Sequence, residues 1–354
     1  MQKLIFVVCA IVCAAHMSFA AQPTAKVDQR IEFANAVCRM AHFDAIGEAD
    51  IQYSTYVNAT DDLKRSISGH EVGSISLELN MLLKGIAGKH EKIVVDALEW
   101  TITNGKIEAT DADATALQQS LSSSDYSKFI SLINRYYSLS RFDQFYLKNK
   151  EVYSQAEELY NAVLKQFDTK AFTSLFGQDI SNINVYVSLM NKGNSYSVSG
   201  QNAIILGGIC DEYVGNDWQH RMGIDKLNFK AQYAITLSIS ELLLSSHLDR
   251  YDEETYESSK WYYTTQSVLF QRNNIDISEV YKDQMVRLSA LYYIANTKSS
   301  QLNIEDAIIL QKREGFSWTN ELYSIIKEQY DTTKYRTIVE FLPVVTSRYN
   351  DLLK

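Results

Sequence analysis

The stretch A-I-T-L-S-I-S-E-L-L-L-S-S-H-L-D-R-Y, residues 234–251, predicts a long helix whose apolar middle carries one acidic residue, Glu241. The segments before it indicate strands. INVYVSLMN (183–191) alternates apolar and more polar residues, and AIILGGI (203–209) is a continuous apolar run that suits a buried strand. The turn-forming NKGNSYSVSGQN (191–202) separates the two. A small sheet is therefore expected directly before this helix.

The rest of the chain predicts helices, because 2 prolines and 14 glycines in 354 residues leave few forced breaks. Helices are expected near 28–42, 74–85, 90–102, 125–138 and 150–168, and again from about 230 to the end, with interruptions that include one around Pro343. The expected fold class is α+β and predominantly α-helical. We expect a helical N-terminal region, 21–178, and a strand–helix region, 179–354, packed as one compact unit.

The first 20 residues have the pattern of a secretory signal peptide. Lys3 is followed by an apolar run too short to span a bilayer, and the segment ends in small residues at Ser18 and Ala20. We expect cleavage after Ala20 and export to the periplasm or beyond the cell, a lipid-anchored product being the alternative. No later stretch has the length of a membrane span.

Charge and cysteine content narrow the classes of partner and fold. The net charge is −9, and losing Lys3 makes it one unit more negative, which argues against nucleic acid and against docking on an anionic membrane. Outside the leader only Cys38 and Cys210 remain. They predict either one disulfide or two buried thiols.

Glu241 occupies the place of the catalytic glutamate in an H-E-x-x-H helix, but both histidines are absent. The zinc motif needs imidazoles four residues apart, where they lie one above the other. Here those positions are Ser240 and Leu244. His247 does not restore the pair, because six residues after Glu241 it lies about 240° around the helix. The sequence therefore predicts no zinc cofactor at this site.

Other chemistry-bearing patterns are weaker. HEVGS (70–74) and HEKIV (90–94) lack a second histidine and are interpreted as solvated polar positions. Cys210 as a nucleophile with His220 or His247 is less favoured than a buried or bridged cysteine. The acidic segment DRYDEETYE (249–257) lacks the glycine and spacing of a calcium loop and predicts a solvated acidic loop.

Several segments in a fixed order carry a resemblance to a known family. They are VDQRIEFANAVCRMAHF (27–43), GHEVGSISLELNMLLKGIAGKHEKIVVDALEW (69–100), KEVYSQAEELYNAVLKQFD (150–168), FGQDISNINVYVSLMNKGNSYSVSGQNAIILGG (176–208), the Glu241 helix and EDAIILQKREGFSWTNELYSIIKEQY (305–330). This order resembles an uncharacterised family of exported bacterial proteins regarded as zincin-like metallopeptidases. The resemblance covers nearly all of residues 21–354 and implies a zincin-like scaffold with a small sheet beside the former active-site helix.

The resemblance also implies roles for individual positions. The family's H-E-F-x-H-S pattern places its first histidine at Ser240, its glutamate at Glu241, its second histidine at Leu244 and its serine at Ser245. A later acidic residue, which the resemblance implies as a third ligand, falls on Asp283 in DQMVRLS. Glu241 is then a vestigial general base, and the ancestral zinc is expected to be lost.

Three functions follow from these observations. The first is a catalytically inactive zincin-like relative that binds a peptide or protein in a strand-edged groove. The second is an active hydrolase that uses Glu241 with Asp283, His247 or a metal held by other ligands. The third is a structural or interaction protein whose surface is unrelated to the cleft. The resemblance and the missing ligands favour the first.

Overall fold

A computed structural model describes residues 22–43, 69–109, 115–192, 195–208, 224–272, 275–297 and 304–353. The predicted signal peptide lies outside these ranges, so it stays a prediction. The described part is predominantly helical with a small mixed sheet, and the α+β class is confirmed.

The elements are numbered here along the chain. The strands are β1 (Ala25–Lys26), β2 (Trp100–Thr103), β3 (Lys106–Ala109), β4 (Asn184–Lys192), β5 (Ser195–Val198) and β6 (Ala203–Gly208). The helices of the N-terminal half are α1 (Gln29–Met40), α2 (His70–Leu82), α3 (Lys89–Asp96), α4 (Ala116–Gln119), α5 (Ser123–Ser140), α6 (Phe142–Lys148), α7 (Lys150–Leu164) and α8 (Thr169–Phe176). The later helices are α9 (Ile224–Leu248), α10 (Asp252–Thr265), α11 (Ser267–Arg272), α12 (Ile277–Asn296), α13 (Ile304–Arg313), α14 (Thr319–Gln329) and α15 (Ile338–Asp351).

The central sheet has the strand order β1-β4-β6-β5. β1, β4 and β6 run parallel to one another, whereas β5 runs antiparallel to β6 and is the last strand of the described sheet. Successive side chains on a strand point to opposite faces. Tyr196 and Ser197 on β5 therefore face different layers, and their partners lie on α3 and α9 respectively.

Helix α1 packs against one face of this sheet. Asp28 accepts a hydrogen bond from the Arg30 N–H and caps the helix start. Every residue from Ile31 to Met40 is buried, including the polar side chain of Asn35, which donates to Ser188 Oγ on β4 at 2.9 Å. The helix is thus held to the sheet by polar as well as apolar contacts.

Helix α9 covers the opposite face and packs against α12. Its side chains Ile235, Ile239, Leu243 and Leu244 are buried in the main core. Burial on several sides is expected for an apolar helix between a sheet and another helix. Glu241 thereby lies on the core helix of the domain, at the level of β5.

Two asparagine side chains close strand edges elsewhere. Asn161 on α7 accepts from the Ala25 N–H at 2.8 Å and donates to the Ala25 carbonyl at 3.0 Å, as a neighbouring strand would. Asn134 on α5 does the same for Ile107, at 2.7 and 2.9 Å. Glu157 additionally accepts from the Val27 N–H at 2.8 Å. The β1 edge of the central sheet is therefore satisfied without another strand.

Replacing Asn161 by alanine is expected to lower the free energy of unfolding by about 1–3 kcal/mol. The change leaves the N–H and C=O of Ala25 without their partner, and unsatisfied buried backbone groups cost about this much. Urea denaturation of both proteins measures the difference. Asn320→Ala, on an exposed helix start, is the matched control and should change stability by less than about 0.5 kcal/mol. Equal effects of the two changes would contradict the edge-closing role.

Three local predictions were wrong. The stretch expected to form a turn contains β5, and the C-terminal part of the helix expected at 90–102 is a turn of 3₁₀ helix followed by the β2–β3 hairpin. Pro343 lies inside α15 rather than at a break. The buried side chains of Phe341, Leu342 and Val345 anchor that helix on both sides of the proline, which offsets the lost backbone hydrogen bond.

Candidate functional site

The candidate site is centred on Glu241, where α9 passes behind β5. The Ser197 hydroxyl lies 2.6 Å from Glu241 Oε2 and 3.0 Å from the Ser238 carbonyl oxygen. Both Ser197 and Glu241 are half-buried. A strand residue and a helix residue 44 positions apart in sequence thus share one short hydrogen bond.

The electrostatic surroundings make Glu241 a weaker acid than usual. Burial raises its pKa to about 7, and the negative charges of Asp283, Glu91 and Glu279 act in the same direction. The hydrogen bond from Ser197 opposes these effects. A carboxyl group with such a pKa exchanges its proton near neutral pH, which is the property of a general acid or base.

The two cations that flank Asp283 on α12 pair with other carboxylates. Arg287 on α12 lies 3.8 Å from Asp283 and also pairs with Glu314. Lys282 pairs with Asp249, in the 3₁₀ turn before α10, at 2.8 Å and with Asp252, the first residue of α10, at 3.2 Å. Within the described part of the chain, the Glu241 carboxyl has a hydroxyl partner and no salt bridge.

The positions predicted for the ancestral zinc ligands separate into two environments. Ser240 and Leu244 are both 0% exposed, and the Ser240 hydroxyl has no hydrogen-bond partner among the described residues. The Asp283 side chain is 33% exposed and lies on α12, close enough to Glu241 to influence its pKa. The charge of Asp283 therefore acts on Glu241, while Ser240 and Leu244 are packed in the core.

A second polar cluster lies on the other face of β5. His90, 2% exposed, is within 2.8 Å of both Asn35 Oδ1 and the Tyr196 hydroxyl. The Asn35 amide nitrogen donates to the Ile31 carbonyl and to Ser188, so its Oδ1 accepts from His90 Nε2–H. In the neutral imidazole, Nδ1 then accepts from the Tyr196 hydroxyl. His90 of HEKIV is thus a buried link between α1, α3 and β5, and its interpretation as solvated was wrong, whereas Glu91 is exposed.

Replacing His90 by leucine is expected to lower the free energy of unfolding by about 2–3 kcal/mol. The buried Asn35 oxygen loses its donor and the Tyr196 hydroxyl loses its acceptor. Chemical denaturation at neutral pH measures the change. His70→Leu is the matched control, since His70 begins the other H-E dipeptide and is exposed. If His70→Leu destabilised the protein as much, the buried link would not be the cause.

The other residues that the sequence predicted as functional add no further group to the candidate site. Cys38 is buried in α1, and Cys210 and His220 lie outside the described residues, so the disulfide stays a prediction. His247 is in the last turn of α9. The acidic segment 249–257 forms a short 3₁₀ turn and the start of α10 rather than a loop. No group of three or more His, Cys, Asp or Glu side chains suited to a metal ion occurs in the ranges that the structure covers.

An open groove of about 780 Å³ lies at a different place, between α5 and the β2–β3 hairpin. Its walls include Lys106, Asn134 and Arg135 together with several serines. Neither Glu241 nor its neighbours line this groove. Asn134 is already committed to closing the hairpin edge, so the groove offers less distinctive chemistry than the Glu241 site.

Comparison with known proteins does not assign this chain to a family. A scan against protein-family models, a search of curated protein sequences and a search of solved structures each found no match. None of the described helices combines the length and the apolar character that spanning a bilayer requires.

Sequence reasoning missed Ser197, Tyr196, His90 and Asn35. A signal for the first two exists in S-Y-S-V (195–198), where period-2 alternation is present but short and enclosed by turn-forming residues. Nothing local marks Asn35, and the H-E dipeptide that contains His90 does not reveal its burial, because the partners of both residues come from distant elements. Their role becomes visible only when the sheet is assembled.

Proposed function

We propose that this chain is an exported, zincin-like protein without zinc chemistry that binds an extended peptide or protein segment along β5, beside Glu241. The observation that carries the proposal is the asymmetry of the central sheet. One edge is closed by side chains of α7, and the other ends in β5 next to a half-buried carboxyl group.

The composition of β5 supports strand addition. Its sequence, S-Y-S-V, contains neither the charged residues nor the proline with which proteins commonly protect an edge strand. β5 ends the described sheet, and a peptide that added to it would gain backbone hydrogen bonds. Tyr196 and Ser197 are fixed by bonds to His90 and Glu241, so the strand is held before a ligand arrives.

The residues around Glu241 support the absence of zinc chemistry. A hydrolytic zinc site needs three protein ligands and a water molecule on the metal. Leu244 offers a metal no ligand atom, and the Ser240 hydroxyl is fully buried. A recognition role requires only the strand edge and the polar groups beside it.

Selection of peptides from a random nine-residue library tests the proposal. We expect selected peptides to bind with a micromolar Kd, and amide signals of residues 195–198 to shift in NMR spectra of the labelled protein. The matched control ligand has the same sequence with alternate backbone nitrogens methylated. It keeps the side chains and loses strand pairing, so its affinity should fall at least about tenfold.

Two results would contradict strand addition. One is binding that N-methylation leaves unchanged. The other is a set of shifted amides that excludes β5 and maps to the groove beside Asn134. Cleavage of the bound peptides that stops when zinc is chelated would instead indicate metallopeptidase activity.

A further inference from the structure

The hydrogen bond between Ser197 and Glu241 differs from the other serine–carboxylate pairs of the described structure. Ser122 bonds Asp125 and Ser181 bonds Asp179, each at 2.7 Å, and Ser74 bonds Glu78 at 3.5 Å, but all three pairs are exposed and their partners are two to four residues apart. Helix capping, turn formation and the four-residue spacing along a helix account for them. None of these explanations applies to Ser197, whose partner belongs to another element.

The pair is built on rigid elements. β5 is hydrogen-bonded to β6 along its length, and α9 is anchored in the core by the side chains that flank Glu241. The Ser245 hydroxyl donates to the Glu241 carbonyl at 2.6 Å, one turn further along the helix. The separation of 2.6 Å between serine and carboxylate lies within the range for proton transfer between a nucleophile and its base.

The Ser238 carbonyl gives the pair two hydrogen-bonded states. When Glu241 is ionised, the Ser197 hydroxyl donates to Oε2. When Glu241 is protonated, it can donate to Ser197 Oγ, and the serine proton turns to the Ser238 oxygen at 3.0 Å. Both protonation states of the carboxyl group are therefore accommodated without moving the backbone.

We propose that Ser197 is a nucleophile and Glu241 its general base, and that the pair transfers acyl groups from carboxylic esters without a metal. Ser197 Oγ forms a bond to the ester carbonyl carbon while its proton passes to Glu241. The carbon–oxygen bond to the alcohol then breaks, and the alcohol leaves with the proton from Glu241. Water then attacks the acyl carbon while Glu241 accepts one of its protons. The bond between that carbon and Ser197 Oγ breaks, Ser197 takes the proton back from Glu241, and the carboxylic acid leaves.

This activity goes beyond peptide binding and does not depend on it. Binding along β5 uses backbone groups of the strand, whereas acyl transfer uses the two side chains. If the protein binds peptides but has no reactive serine, only the binding proposal is supported. If Ser197 reacts but no peptide binds, only the acyl-transfer proposal is supported.

Labelling of the full chain with a fluorophosphonate probe tests the inference. Ser197 Oγ forms a bond to phosphorus, fluoride leaves, and Glu241 takes the serine proton. Intact mass is expected to show one adduct per chain, and peptide mapping is expected to place it on Ser197. Ser197→Ala should abolish labelling, and Glu241→Gln should slow it about 100-fold or more, as loss of a general base does. The controls Ser122→Ala and Ser181→Ala should label at the wild-type rate.

Three results of the labelling experiment would show that Ser197 is not a nucleophile activated by Glu241. No adduct on the wild-type chain, under conditions that label a serine hydrolase alongside, would overturn the proposal. An adduct on another residue, or an unchanged rate in a folded Glu241→Gln variant, would also overturn it. If Ser197→Ala does not fold, the mapped wild-type adduct and the rate of the Glu241→Gln variant carry the test.

Discussion

Replacing both Ser240 and Leu244 by histidine is expected to create a zinc site with one ion per chain, whereas the wild-type chain is expected to hold none. Residues four apart lie on the same face of α9, so two imidazoles there can reach one ion at about 2.0–2.1 Å. The zincin-like proposal assigns the third ligand to Asp283 on α12, the helix that packs against α9, and the charge of Asp283 acts on Glu241. Elemental analysis after dialysis measures the stoichiometry.

The same variant should be strongly dependent on zinc for stability. Both positions are fully buried, so two imidazoles without metal replace well-packed groups at a cost of about 2–5 kcal/mol. Zinc bound only by the folded state restores stability in proportion to the logarithm of its concentration. Thermal melting with zinc and with chelator measures the difference.

A control pair of histidines on a helix surface distinguishes a specific zinc site from nonspecific zinc binding. Glu253→His/Glu257→His places two imidazoles one turn apart on the exposed side of α10. Adding Asp283→Asn to the core variant should weaken its zinc affinity and should not affect the control. The zincin-like scaffold is wrong if the core variant folds but binds no zinc. It is also wrong if Asp283→Asn leaves the zinc affinity of the core variant unchanged.

Replacing Glu241 by glutamine is expected to stabilise the protein at pH 8 and to have little effect below pH 4.5. The pKa of Glu241 is about 7 in the fold against an ordinary value of 4.5, so the folded state binds the proton more tightly than the unfolded state. The stability that this group contributes is fully present below pH 4.5 and is lost as pH rises through 7. The loss is about 3 kcal/mol, and glutamine, which does not ionise, avoids it.

Urea denaturation of both proteins between pH 4.5 and pH 8 measures this prediction. The difference in free energy of unfolding between variant and wild type should grow with pH and level off above 7. Glu321→Gln, at an exposed position on α14, is the control and should show no such trend. A constant difference across this range would mean that the Glu241 carboxyl is not perturbed as described.

Much of the helical framework could be predicted from local pattern. The helix expected at 28–42 is present as α1, because apolar residues recur at three- and four-residue steps after the capping residue Asp28. The helices near 125–138 and 150–168 are present as α5 and α7 for the same reason. Two strands of the central sheet, β4 and β6, also follow from alternation and from a continuous apolar run.

The β2–β3 hairpin had a local signal that the helical prediction did not use. Asn104 and Gly105 both have positive φ, 52° and 72°, and an Asn-Gly pair is the strongest short hairpin signal. The alternation in W-T-I-T before them fits a strand. Here turn chemistry took precedence over a helix-like apolar pattern.

Only some residues of the candidate site could be predicted from the sequence. Glu241 was predicted from its place in a degenerate motif, and Asp283 from the resemblance. Ser197 was not, because its hydrogen bond to Glu241 joins a strand and a helix that meet only in the folded sheet. A pKa raised by burial likewise depends on packing that no local pattern contains.

Asn161, which closes the edge of β1, also limits how copies of this chain can associate edge to edge through their sheets. A fibril or an endless ladder of sheets needs two open edges on every molecule, one to receive a strand and one to offer it. Asn161 occupies one edge of the described sheet with its own amide. If two copies paired through β5 about a two-fold axis, side chains of α7 rather than open backbone groups would flank β1 at both ends of the joined sheet.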